Sequence, residues 1–206
     1  RVGNYPVIPV GTGRTYATDG DGHAYLTHSS GGNYLKINDS GAKLDSYDNS
    51  SFTYAVVVNL DITDGAGGGN TYGQTRIIKA KTSGSAEYSH LLGMFNQEST
   101  GSYNGGEILM DNYPPTGFIV HDVSSSSFYE GKILLVATYQ YTSTTSQTLT
   151  LYKNGTQTFT GSGNEGTLST TRTWQEYQIA GDESTTQGGF QNSKFYAAAM
   201  WDRVLT

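Results

Sequence analysis

Carboxylates crowd together at four places in this 206-residue chain. Asp19-Gly-Asp21-Gly-His23 alternates ligand-type side chains with glycine, and Asp61 and Asp64 lead into a glycine-rich stretch. Glu107 and Asp111 stand four residues apart, and Asp182 adjoins Glu183. Calcium collects six to eight oxygens, several of them from carboxylates. The 19–23 stretch opens like a twelve-residue calcium loop, yet Ser30 stands where the twelfth-position Glu would be needed. Asp beside Gly is equally the material of tight turns, because the Asp oxygen bonds backbone N–H groups just ahead of it. Turn formation is the reading for 19–23 and for 61–64.

Paired carboxylates can also serve as acid and base. If GEILMD (106–111) is a strand, Glu107 and Asp111 share one face about 13 Å apart at ~3.3 Å per residue. Glycoside hydrolysis needs roughly 5.5 Å for retention and at most about 9.5 Å for inversion, so these two cannot act as a pair. No Gly-x-Ser-x-Gly elbow occurs, and the glycine-rich GAGGGN lacks the Lys-Ser/Thr of a phosphate cradle. There is no Cys, and His23, His28, His90 and His121 show no metal-ligand spacing. The expectation is a chain that is not an enzyme.

Aromatic side chains are the remaining lead. Sugar rings lay their apolar C–H faces on Tyr and Trp while neighbouring amides bond the hydroxyls. Tyr72, Tyr103 with Asn104, and Tyr113 fall in stretches rich in Gly, Asn and Gln, and Trp174 follows a Thr-rich turn. These five residues are the expected ligand-binding set.

The elements that must position them read as β. TLTLYKNGTQT (148–158) alternates apolar and polar residues up to Asn154-Gly155, the positive-φ pair of a two-residue type I′ hairpin turn. Strand-like runs recur at 33–37, 51–62, 74–81, 90–95, 106–110, 116–122, 132–139, 176–181 and 194–202, separated by Gly-, Ser- and Asn-rich turns. The last run, with three consecutive Ala, is compatible with a helix. The alternation of Phe195, Ala197, Ala199 and Trp201 fits a strand. No linker or internal repeat divides the chain.

GKILLVATYQYTSTTSQTLTLYKNGTQT resembles the paired central strands of laminin-G-like and pentraxin-like domains, and SSFTYAVVVNL and NYLKI resemble the strands before them. IAGDESTTQGGFQNSKFYAAAMWDRVLT is similar to the pentraxin-like ending, matching at Gly181, Gly188, Gly189, Phe190, Met200, Trp201, Asp202, Val204 and Leu205. The resemblance implies an all-β, concanavalin A-like jelly-roll sandwich of two antiparallel sheets over 25–206, with 1–24 as a lead-in strand segment of the same domain. It also implies core positions for Phe52 and Trp201, and a calcium loop after Gly181, whose metal ligands here would be Asp182 and Glu183. Thr185 stands where a further Asp belongs, and only Glu87 is acidic where an Asp-Asn pair is expected. A polysaccharide lyase of this fold would need Gln-x-His, and FIVHD supplies His121 without the Gln.

A formal charge of −6 with no basic patch argues against nucleic acid as a partner. No apolar run approaches the roughly 20 residues of a membrane-spanning helix. The start, without Met or a signal pattern, reads as a processed chain or part of a longer protein. The expectation is therefore a binding domain for a glycan or cell-surface ligand, assisted by calcium, located extracellularly or on a virion or cell surface. The alternative is a structural or adhesion module contacting neighbouring protein subunits, in a phage tail, a capsid fibre or a bacterial surface protein. A glycoside hydrolase or polysaccharide lyase of the same fold stands behind both.

Overall fold

The computed structural model describes residues 7–29, 32–38, 51–61, 72–82, 90–98, 107–111, 118–121, 131–143, 146–163, 174–181, 190 and 192–205. Among them every regular element is a strand: β1 Val7–Val10, β2 Arg14–Thr18, β3 Ala24–His28, β4 Tyr34–Asn38, β5 Phe52–Asn59, β6 Tyr72–Thr82 and β7 His90–Glu98. They continue with β8 Glu107–Asp111, β9 Phe118–His121, β10 Ile133–Ser143, β11 Ser146–Lys153, β12 Thr156–Gly163, β13 Trp174–Ile179 and β14 Lys194–Trp201. No described helix is long and apolar enough to cross a membrane.

Two seven-stranded antiparallel sheets form the concanavalin A-like jelly roll that the resemblance implies. Sheet A runs β1-β4-β13-β6-β7-β8-β9 and sheet B runs β12-β11-β10-β5-β14-β3-β2. The first two strands border different sheets, β1 on sheet A and β2 on sheet B.

Alternation along β5 builds the core. Phe52, Tyr54, Val56 and Val58 point inward and are fully buried. Phe52 stacks on Tyr139 of β10 at 4.9 Å, and Tyr54 meets Tyr177 of β13 edge-on at 6.4 Å, so this contact links the two sheets. Geometries of this kind contribute about 0.5–1.5 kcal/mol beyond area burial. On the other face of β5, Thr53 donates to Arg203 O at 2.8 Å and accepts from Leu205 N at 3.1 Å, which ties the C-terminal tail down.

The Asn-Gly hairpin forms as its sequence dictates. Asn154 and Gly155 take φ of 52° and 82° between β11 and β12. Asn154 also pairs twice with β10, since its N–H donates to Leu134 O at 2.8 Å and its Oδ1 accepts from Leu134 N at 2.8 Å.

Residues 194–201 are a strand with a departure from simple alternation. Phe195 faces Val58, but Ala197 faces Val57, so Tyr196 is an extra residue in a β-bulge. Phe195 therefore points inward, whereas Ala197, Ala199 and Trp201 pair with the outward positions Val57, Ala55 and Thr53. Phe52 occupies the core as expected. Trp201 does not, because the bulge reverses its phase and leaves it half-buried.

Candidate functional site

The β2–β3 turn organises the best-defined polar cluster. Asp19 Oδ1 accepts from the backbone N–H of Asp21 at 3.0 Å and of His23 at 2.8 Å, the bonding expected of a turn-forming Asp. Lys132, just before β10, then inserts its ammonium. Nζ lies 3.2 Å from Asp19 Oδ2, 3.5 Å from Asp21 Oδ2 and 2.7 Å from His23 Nδ1. The ammonium has only protons to offer, so His23 Nδ1 takes the acceptor role in this contact.

The His23 amide foremost holds the Asp19 carboxyl well below the usual carboxylate range; desolvation opposes it, and Lys132 and the Asp21 amide add to the lowering. Desolvation pulls Lys132 down, but Asp19 and Asp21 outweigh it and the ammonium is held above its ordinary value. The donor atoms of Asp19, Asp21 and His23 lie within 4.8 Å of one another, a spacing that suits a metal ion. The ammonium of Lys132 already occupies that position, so these residues form a lysine clasp and do not fit a calcium ion.

Two aromatic rings adjoin the clasp. Tyr25 projects from β3 on the side opposite the buried Leu26, and the β14 bulge carries Tyr196 beside it. Their ring centres are 5.8 Å apart and their planes tilt by 56°. Lys194 Nζ sits 4.8 Å over the Tyr25 ring, and Lys132 Nζ lies 5.4 Å over the Tyr196 ring. Partial burial and the nearby Asp19 charge raise the Tyr196 hydroxyl above its normal range. The arrangement joins half-buried ring surface with carboxylate, ammonium and imidazole, the components of a polar-ligand surface. Sequence reading singled out Asp19, Asp21 and His23 but neither tyrosine. Alternation along β3 turns Tyr25 outward, whereas nothing local announces the bulge that exposes Tyr196.

Two of the expected ligand-binding residues begin strands. Tyr72 begins β6 opposite Glu98, the last residue of β7. Trp174 begins β13 opposite Thr82, the last residue of β6, about 30 Å from Tyr72 at ~3.3 Å per residue. Only the backbones of Tyr72 and Trp174 are described, and Tyr103, Asn104, Tyr113, Asp182 and Glu183 lie outside the described residues. Glu107 and Asp111 do open and close one strand, which keeps them too far apart to act as a pair.

Sheet A carries a second polar group on its outward face. Glu176 of β13 accepts from Gln178 Nε2 at 2.7 Å and from the Tyr34 hydroxyl at 3.5 Å, and pairs with Lys36 at 3.6 Å. Gln178 and the neighbouring Lys79 are buried although they point away from the core.

No family of proteins matches the sequence, and no curated protein matches it either. Solved structures match the fold. The binding domain of botulinum neurotoxin serotype D/C (VPI 5993) superimposes with a TM-score of 0.64 at 11% identity, over 98% of this chain and 45% of that one. The binding domain of botulinum neurotoxin DC in complex with rat synaptotagmin II gives 0.62 at 10% identity, over 98% and 44%. Trypanosoma rangeli sialidase in complex with sialic acid gives 0.57 at 15% identity, over 88% and 26%. The chain thus spans less than half the length of each, and at such identities the likeness establishes a shared β-sandwich architecture.

Proposed function

We propose that this chain is a non-catalytic binding domain that recognises a glycan or another cell-surface ligand, outside the cell or on a virion or cell surface. The observation that carries the reading is the Tyr25–Tyr196 pair, flanked by the Lys194 ammonium and by the Lys132–Asp19–Asp21–His23 clasp. Tilted rings beside hydrogen-bonding groups of both signs offer a sugar both stacking and hydroxyl partners. The architecture shared with neurotoxin binding domains, one in complex with synaptotagmin, supports a receptor-binding role, and the sialidase supports a sugar.

Tyr72, Tyr103, Asn104, Tyr113 and Trp174 belong to this reading as further ligand contacts. Asp182 and Glu183 belong to it as calcium ligands. The clasp already holds its own cation, so any calcium dependence would come through those two carboxylates.

A second reading is favoured by apolar exposure along one side of the sandwich. Val7 and Ile8 on edge strand β1 and Tyr16 on edge strand β2 face solvent. Edge strands with apolar side chains suit contact with a neighbouring protein subunit in a larger assembly.

A glycan array probed with calcium and again with EDTA tests the proposal. Specific binding that survives EDTA supports a tyrosine-based site, and binding lost in EDTA moves the site to Asp182 and Glu183. Silence under both conditions contradicts glycan recognition and favours the assembly module.

A further inference from the structure

His28 is the last residue of β3, and it is 1% exposed. Its Nε2 lies 2.7 Å from Ala180 O. A carbonyl only accepts, so Nε2 carries the proton and Nδ1 is a bare lone pair, buried with no hydrogen-bond partner among the described residues. Ala180 sits just past β13 with φ of 55°, a left-handed conformation that side-chain-bearing residues resist, and Gly181 follows with φ of 125°. Their N–H groups donate to Ile77 O at 2.9 Å and Arg76 O at 2.8 Å on β6.

The same short stretch of β3 holds a second point. His28 N donates to Phe190 O at 3.0 Å, and Thr27 Oγ1 donates to Phe190 O at 3.2 Å. One histidine thus bridges sheet B to the end of β13 in sheet A and fixes the chain on both sides of the 181–190 connection.

We propose that His28 is an acid-operated latch, tying Ala180 to β3 through its neutral imidazole and releasing it when the ring takes up a proton. A proton on Nδ1 would find no acceptor among the described residues, and the resulting imidazolium would be buried. Arg14 of β2 lies directly opposite His28 and is the charged group that acts on it, disfavouring a second positive charge. Arg76 of β6 stands behind the Ala180–Gly181 turn and is buried as well. Burial foremost, with Arg14 adding to it against the Ala180 hydrogen bond, holds the imidazole below its ordinary range. Protonation therefore requires the ring to reach water, and that movement breaks the bond to Ala180 O.

The sign follows from linkage. The open form binds a proton below about pH 6.5 and the latched form does not, so local opening should rise about tenfold per pH unit below that value. Amide exchange of wild-type protein from pH 7 to 5, corrected for intrinsic rates, reads this directly at His28, Ala180 and Gly181. The latch predicts that the opening of all three grows with that slope, and that His28→Gln, which keeps a donor but cannot ionise, abolishes the slope. Opening in the wild type that is independent of pH, or an unchanged slope in His28→Gln, would overturn it. Should His28→Gln fail to fold, the wild-type ring signal decides. Protonation of His28 without loss of protection at Ala180 and Gly181 contradicts the latch, and coincident changes support it.

Discussion

Asn154 shows how much one residue can carry. It holds a left-handed backbone at the hairpin turn and spends both its N–H and its Oδ1 on Leu134. Asn154→Ala should cost about 2–3 kcal/mol, combining roughly 1 kcal/mol for the lost hydrogen bond with about 1–2 kcal/mol for the backbone. Asn154→Gly should recover the backbone part, and urea denaturation of both variants separates the two contributions. Asp19 gives a pH signature. Its folded pKa is depressed, so its contribution is complete above the unfolded value of about 3.9 and is lost as pH falls further. Asp19→Asn should flatten the stability profile below about pH 4 relative to wild type, as thermal melts at a series of pH values would show. An unchanged acid limb in the variant would mean that the turn does not depend on the charge.

At the scale of elements, the legible strands were those with a local signature. Asn154-Gly155 dictates its turn, and the Phe52–Val58 alternation dictates a half-buried strand. By contrast, β1 contains Pro9 and exposes most of its side chains, and β2 reads as polar, so neither shows a period. The bulge at Tyr196 depends on how β14 registers with β5, which no local pattern encodes. That single extra residue turned the expected inward Trp201 outward and brought Tyr196 beside Tyr25. The aspartates of the turn were legible, but Lys132 is more than a hundred residues away, so only the folded chain reveals that the cluster already holds its cation. The core has a corresponding prediction. Phe52 is wholly buried between Tyr54 and Tyr139, at ring separations of 4.7 and 4.9 Å. Phe52→Ala should cost about 3–5 kcal/mol, measured by denaturant unfolding. A loss below about 1 kcal/mol would mean that the aromatic stack does not anchor sheet B.

For the whole molecule, Tyr72 and Trp174 lie a full strand length apart, about 30 Å at ~3.3 Å per residue, so a single ligand of modest size would not engage both. The central claim is that a ligand rests on Tyr25 and Tyr196. Its most direct test is the affinity of the strongest array ligand for wild type, for Tyr25→Ala and Tyr196→Ala, and for Tyr16→Ala as a control. Tyr16 is 68% exposed on edge strand β2 and serves only to report non-specific loss. Each of the two pair variants should lose at least about tenfold in affinity, about 1.4 kcal/mol, while Tyr16→Ala stays within about twofold of wild type. Wild-type affinity in folded Tyr25→Ala and Tyr196→Ala proteins would contradict the assignment of the ligand to these rings.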